Sequence, residues 1–556
     1  MGLVGALAVG AALAWPASSP RAACSTTGTN QTCTNSVFLS GGANGIFDFA
    51  TLTVTNTSTG TITGTSAGIA THGATNANNS GAITGGVGGI QADSANVTNN
   101  TGGIIQGLQN TGLSVTNTAT VNNSGFIGGS GIGGSAISAT TANVTNTGTG
   151  LIAAGGRAAD GITATDAIVN NAGLIQGGRT GILALGTANV VNSGTITAGP
   201  VPINSSTGIA GNILNLNNSG TVTGTNGGVS GNTVNIVNSG TISGTSSAFA
   251  STGVSALTAN ITNTGTISGS TGISTTGPST VFNSGTITGS VGPAIQFQGT
   301  GNTLTLGPGS VINGNVLASG SDTFQLGGTG ADTFDVSKIG AGQQYQGFST
   351  FNKIDASTWT LTGTGNRTWN VQGGVLAGNA TIGGLNVMNG GTVSPGNFGT
   401  LSVNGNVTFA PGSFFQVNVN PALQSDKIAA TGTATISGGT VQVLAQAGNY
   451  LPFKAYTILT ANAGVTGSFD NVTSNMPFLA PSLIYTPTSV ILTLGRSGAF
   501  FVTEAQTPNQ AAVAAALDKG PLTSPLVLAV LVQSATGGGR RSTRSRARST
   551  AACSRR

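Results

Sequence analysis

The sequence predicts an all-β fold, a right-handed parallel β-helix (a solenoid) with coils of about 20–26 residues. Three observations carry that prediction. The string Asn-Ser-Gly-Thr-Ile, or a close variant, returns about every 23 residues through the first half of the chain. Short β-branched stretches with period-two alternation lie between the copies, separated by Asn and Gly. Finally, 92 glycines and a charged content of only 5% exclude helical repeats. A leucine-rich repeat has a similar period but needs several Leu per repeat, and Leu is sparse here.

The period is read from the opening Asn of each copy. It falls at Asn79, Asn100, Asn123, Asn146, Asn171, Asn192, Asn218, Asn238, Asn263 and Asn283, with a looser copy at Asn56. Each repeat holds three apolar punctuations. In one coil Ala142-Asn143-Val144-Thr145-Asn146 is followed by Gly150-Leu151-Ile152 and then Gly161-Ile162. These read as three strands of three to five residues, turned at corners where Asn and Gly tolerate left-handed backbone. Ile or Val points inward and stacks on the next coil, while Thr points outward. The ten Asn are assigned a structural role as a side-chain amide ladder along one corner. Eleven such coils at ~4.8 Å give a rod of roughly 50 Å.

The formal charge of +5 is concentrated at one end, since seven of the 17 basic residues lie between Arg540 and Arg556. The body is nearly neutral and offers no basic stripe, so nucleic acid is not expected as a partner. Low charge with abundant Thr, Ser, Asn and Gly suits an extracellular module. Residues 1–23 read as a signal peptide, apolar to Trp15 and ending near Arg21-Ala22-Ala23, although a basic leader is missing. Cys24 and Cys33 are close enough to form a disulfide in an oxidising compartment, and Cys553 lies in the tail.

From about residue 296 the texture changes. Twenty of the 27 aromatics lie between Phe297 and Phe501, and strands lengthen, as in Phe414-Phe415-Gln416-Val417-Asn418-Val419. Aromatics bury large areas, so residues 296–500 should cap and stabilise the thinner stack of residues 24–295. Thr503 to Lys519 is Ala-rich and reads as a short α-helix within a linker of residues 501–535. Residues 536–556 read as a disordered basic tail.

The aromatic part carries a family resemblance. Ser394-Pro395-Gly396-Asn397-Phe398-Gly399-Thr400-Leu401, Gly405-Asn406-Val407-Thr408-Phe409, Ser425-Asp426-Lys427-Ile428, Gly438-Gly439-Thr440-Val441, Tyr456-Thr457-Ile458-Leu459-Thr460-Ala461, Gly467-Ser468-Phe469-Asp470 and Leu483-Ile484-Tyr485 follow in order. The series resembles the C-terminal passenger segment, or autochaperone, of autotransporters, the self-secreting outer-membrane proteins of Gram-negative bacteria. The resemblance implies export by the Sec pathway to the periplasm, then display at the cell surface through the outer-membrane translocation machinery. It also implies a membrane β-barrel at the end. Even eight strands of about ten residues need ~80 residues, against 36 after Gly520. A frameshift or early stop is therefore expected near Thr536, testable in the downstream reading frames.

Candidate chemistry is thin. The single histidine, His72, would have to serve any Ser–His–Asp triad or zinc site, and it reads as a corner residue. Arg157, Asp160, Asp166 and Arg179 are the charged cluster of the repeats. Asp160 and Asp166 would pair as catalytic carboxylates only if they flanked one groove, and Arg157 with Asp160 reads as a surface pair. Gly327-Gly328-Thr329-Gly330-Ala331-Asp332-Thr333-Phe334 resembles one calcium-binding nonapeptide, with a partial echo at Ser321-Asp322-Thr323-Phe324, but consecutive copies are needed. No catalytic, cofactor or metal residue is assigned. The expected function is a surface adhesin or structural rod with a host or surface ligand and self-association. The alternatives are a polysaccharide lyase or hydrolase on the same fold, and a non-functional fragment.

Overall fold

The computed structural model describes residues 23–27, 30–40, 42–199, 206–246, 250–446, 450, 454–476, 478–496, 500–520 and 524–531. The expected signal peptide, except Ala23, and the basic tail lie outside the described residues. The chain divides into two compact units. One takes Met1–Thr276 and Thr286–Ile295, the other Gly277–Gly285 and Gln296–Arg556.

The first unit is a parallel β-solenoid. Its first face is built from four-residue strands, Thr61–Gly64, Ala82–Gly85 and so on to Thr286–Gly289, paired in parallel. The apolar residue of each strand stacks on the same position of the next: Ile62 on Ile83, Ile105 on Ile127, Ile175 on Ile196, Ile267 on Ile287. All are fully buried. A second column runs through Ile69, Ile90 and Leu113 and later through Ile182, Ile209 and Val229. A third runs through Val97, Val121 and Val144 and later through Val190, Leu216 and Ile236. No coil can bury these side chains alone. Each fully buried aliphatic is worth about 1.5–3 kcal/mol, realised only against its neighbours.

The three-strand expectation, already broken by a 10-residue fusion over Ile137–Asn146, needs correction from residue 160 to residue 263. There the second and third strands fuse into single bent strands of 12 or 13 residues, such as Asp160–Asn171, Thr180–Asn192 and Gly227–Asn238. At the corner between them the pairing shifts register, between Ala164 and Ala167 and between Ala184 and Thr187, and resumes on the far side. Before residue 137 a bend separates the two, as between Gly88–Ala92 and Ser94–Asn99. At the N-terminal end Ala23–Thr27 pairs antiparallel with Asn30–Asn35, so the first parallel strand does not present a free edge.

Glycine recurs because coils approach closely. A Cβ on Gly220, the corner glycine of one Asn-Ser-Gly copy, would overlap the carbonyl oxygen of Gly194 one coil earlier.

The second unit stacks parallel strands around aromatic side chains. Phe324 lies 5.1–6.2 Å from Phe334, Tyr345, Phe348, Phe351 and Trp369, centroid to centroid. Further along, Phe409 packs edge-on against Phe469 and beside Phe415. Lys353 is fully buried. Its ammonium donates to the carbonyls of Ile354, Asp355 and Gly373, filling all three donors, while burial pushes its pKa down to about 8 against a weaker upward pull from Asp355. An antiparallel hairpin, Leu479–Thr486 with Ser489–Arg496, pairs with Ala455–Ala461.

The helix is shorter than expected. Phe501–Glu504 is a 3-10 turn, and the α-helix spans Pro508–Asp518. Pro508 has no N–H to donate and fixes φ for a first helical position, so the helix starts there, with the Thr507 side chain accepting from the Gln510 amide as N-cap. The Asp518 carboxylate accepts from the amides of Phe501 and Val502, tying turn to helix.

Candidate binding surface

The third strand of each coil ends on an Asn whose side chain turns inward. The amide Nδ2 donates to the Oδ1 of the Asn one coil later, from Asn35 to Asn56, Asn79, Asn99, Asn123, Asn146, Asn171, Asn192, Asn218, Asn238 and Asn263, at 2.7–3.0 Å. Each is essentially fully buried. The same Nδ2 also bonds local carbonyls, as Asn146 does with those of Gly150 and Leu174. Buried amides must be paired or cost heavily, so the ladder fixes which residue stacks on which. In the second unit Asn283 donates to the Gly285 carbonyl and the Ser310 hydroxyl.

One assignment is corrected. Asn100 is not in this column; Asn99 is. Asn100 is half-buried and donates to Asn78 Oδ1 and Ser80 Oγ on the outside of the previous coil. Two corner forms explain the shift. In the short form one Ser-Gly or Ala-Gly pair follows the Asn, as in Asn79-Ser80-Gly81-Ala82. In the long form three residues precede the next strand's glycine-flanked start, as in Asn99-Asn100-Thr101-Gly102-Gly103-Ile104. The longer corner closes with the Gly103 amide bonding the Asn100 carbonyl, and Gly102 takes φ +82°, open to glycine at no steric cost.

The candidates for chemistry are each held by other bonds. His72 is exposed, its ring stacked on Phe49 at 5.7 Å and edge-on to Phe47 at 5.9 Å. Asp160 is buried, and its partner is Arg179, not Arg157 as expected. The guanidinium bonds both carboxylate oxygens, at 3.0 and 2.6 Å, and Thr163 Oγ1 donates at 2.9 Å. Stacking makes the pair: Asp160 lies in register with Thr180, so a residue 19 positions away is nearer than one three positions away on an exposed loop. The hydrogen bond to Asp160 raises the Arg179 pKa further. Asp166, at the bend of the same strand, is exposed and accepts from the Thr187 amide. One carboxylate is therefore inside and the other outside, and they flank no common groove. Asp332 accepts from the amides of Gly309 and Thr333, and buried Asp322 from Asn302 and Ser319. Among the described residues no three His, Cys, Asp or Glu side chains converge as metal ligands. Cys33 is buried and disulfide-bonded, and Cys24 stands opposite it in the antiparallel register.

A groove of about 730 Å³ lies on the outside of the third face of the first unit. Two columns of outward residues form its floor. They are the positions three and one before each ladder Asn: Asn96, Thr120, Asn143, Ile168, Asn189, Asn215, Asn235 and Asn260 in one, Asn122, Thr145, Asn170, Val191, Asn217, Val237 and Thr262 in the other. Asn215 Nδ2 donates to Asn189 Oδ1 at 2.7 Å, and Asn235 Nδ2 to Asn215 Oδ1 at 2.8 Å, a second amide ladder facing solvent. Val191 and Val237 are half-exposed beside it. None of the lining residues is charged. Sequence reasoning missed this surface. Its signal was the outward phase of the strand alternation, which places an Asn three residues before most ladder positions.

No family model matches the chain. Among characterised proteins it is similar to an extracellular serine protease of Serratia marcescens, 35% identical over 163 residues, which is 28% of this chain and 16% of that protein. Among solved structures it is similar to the Haemophilus influenzae Hap adhesin, at 12% identity and a TM-score of 0.27, over 81% of this chain and 64% of that one. The chain thus matches less than two thirds of the length of either. The described residues of the first unit form a parallel β-solenoid.

Proposed function

We propose that the chain is an extracellular or surface-exposed adhesive rod, exported by the passenger route, that makes contact through the outer groove of its third face. The observation that carries this reading is the groove itself: an uncharged, amide- and valine-lined surface on a rigid register-locked scaffold. Aliphatic and amide groups together suit contact with uncharged polymers and surfaces. A non-enzymatic role is part of the proposal. It is supported by His72 packing on phenylalanines, by Asp160 being locked to Arg179, and by the separation of Asp160 from Asp166.

Beads carrying the full chain test it by their retention under flow on cell layers and on beads of the same kind. Val191→Arg and Val237→Arg place bulk and charge in the groove without touching the inward stack. Retention should fall to that of bare beads. Unchanged retention of both variants would remove the groove from any adhesive role. The similarity to a serine protease motivates one control: hydrolysis of casein that is lost in His72→Ala would replace this reading with an enzymatic one.

A further inference from the structure

We propose that the occupant of the groove is an uncharged, extended, β-1,4-linked polysaccharide lying along the solenoid axis, about one sugar ring per coil. This rests on the adhesive reading above and names its ligand class.

Four observations converge. The first is charge. Residues 180–321 carry no Asp, Glu, Lys, Arg or His, and the groove lining has none. The nearest charged side chain on the contributing strands is exposed Asp166, in the same strand as Ile168 and Asn170. A cationic ligand would find one carboxylate, and an anionic one would find only repulsion. The second is hydrogen-bonding pattern. Each amide of the Asn189, Asn215, Asn235 column spends one N–H or one lone pair on its neighbours. Asn215 then retains a second N–H and further acceptor capacity. A sugar hydroxyl both donates and accepts, so it matches this paired display, whereas a purely apolar ligand would leave the amides unpaired.

The third is the apolar neighbour column. Val191 and Val237 alternate with Asn170, Asn217 and Thr262, offering isopropyl groups to the C–H faces of pyranose rings. The fourth is pitch. Parallel strands repeat at ~4.8 Å, and a polypeptide in extended form advances ~3.3 Å per residue, so neither one nor two residues keeps step with the coils. Peptides also add to sheet edges, and this groove lies on a sheet face. An extended β-1,4-linked glycan advances by nearly one coil rise per ring. Helical α-linked glycans do not keep that straight path.

Affinity electrophoresis of the full chain in native gels tests the inference, with soluble glucomannan as probe, dextran as the α-linked control and a mannuronate-rich alginate as the charged, largely β-1,4-linked control. Glucomannan should retard the chain, and dextran and alginate should not. The Asn215→Ala/Asn235→Ala double variant should lose roughly thirtyfold in affinity, taking about one net hydrogen bond from each amide. Val191→Arg keeps the amides and should also lose retardation. Thr221→Ala, on the first face, should bind as the unaltered chain. Circular dichroism melts keep loss of fold apart from loss of binding. No retardation by glucomannan, equal retardation by dextran or alginate, or full retardation of both groove variants would each overturn the inference. If bead retention depends on the groove but glucomannan does not bind, the ligand class fails and the adhesive reading stands. If glucomannan binds while Val191→Arg beads adhere normally, the adhesive reading fails alone.

Discussion

Two adjacent asparagines should differ sharply when each is replaced by alanine. Asn99 is fully buried. Its Oδ1 accepts from Asn79 Nδ2, and its Nδ2 donates to Asn123 Oδ1 and to the carbonyls of Gly103 and Phe126. Asn99→Ala deletes two amide–amide bonds worth about 1 kcal/mol each and strands the buried Oδ1 of Asn123, at about 1–3 kcal/mol. Asn79 keeps its bonds to the Gly81 and Ile104 carbonyls, which limits the damage on that side. The expected loss is about 3–5 kcal/mol. Asn100 makes two outward bonds, to Asn78 and Ser80, where water can replace it. Asn100→Ala should cost under about 1 kcal/mol. A solenoid opens coil by coil, so a global unfolding midpoint averages over the effect. Native-state hydrogen exchange reads it locally. Amides of Ser94–Asn99 and Thr118–Asn123 should lose protection by about a hundredfold to several thousandfold in Asn99→Ala, and by no more than severalfold in Asn100→Ala. If Asn100→Ala loosens these strands as much as Asn99→Ala, the ladder assignment and the two-corner argument are both wrong.

Other perturbations probe other layers. Gly220→Ala should destabilise its coil by several kcal/mol, read by the same exchange, because the added methyl meets the backbone of Gly194 rather than a movable side chain. Lys353 titrates near 8 in the fold and near its ordinary 10.5 when unfolded, so between those values the unfolded chain binds more protons. Denaturant stability of the second unit should therefore rise from pH 8 toward pH 10, and Lys353→Met should abolish that rise. Cys33→Ser should raise exchange in Asn30–Asn35 by releasing its disulfide, while leaving coils beyond Asn79 unchanged; loosening of distant coils would contradict nearest-neighbour stability.

Much of the fold was legible because a solenoid writes its geometry in a period. The isoleucine of each Gly-Thr-Ile copy and the alternation before each Asn locate two of the three buried columns directly. What was not legible depended on corner length and on stacking. Counting from the string alone put Asn100 in register, because Asn99 and Asn100 are adjacent and only the length of the corner before Gly103 assigns the ladder position to the first of them. The Asp160–Arg179 pair was hidden for a related reason. Sequence proximity favoured Arg157, but in a coil structure the nearest neighbour lies one period away. Pro508 did state where the helix begins, yet the Ala-rich run drew the boundary outward to Thr503. The groove went unseen because neutrality was read as lack of character, when the outward columns were the place to look.

Charge placement shows that this neutrality is not imposed by the architecture. The inward positions of both units do the folding: a one-residue slip would bury threonine and expose isoleucine along a whole face. Outward positions are free of that constraint and can carry charge. The second unit uses that freedom. Asp332 and Asp355 accept from backbone amides of Gly309 and Gly328, and Asp335 accepts from Ser337, so acids there help close corners. The same role in the first unit falls to Asp166 alone among the long bent strands, through the Thr187 amide. From residue 180 to residue 321 no charged side chain appears at all. Omitting charge from so long an exposed stretch weakens solubility, since charge is what keeps protein surfaces apart. A cost of that kind persists most readily on a surface that works by touching something uncharged, and the outward amide ladder from Asn189 to Asn235 lies within that stretch.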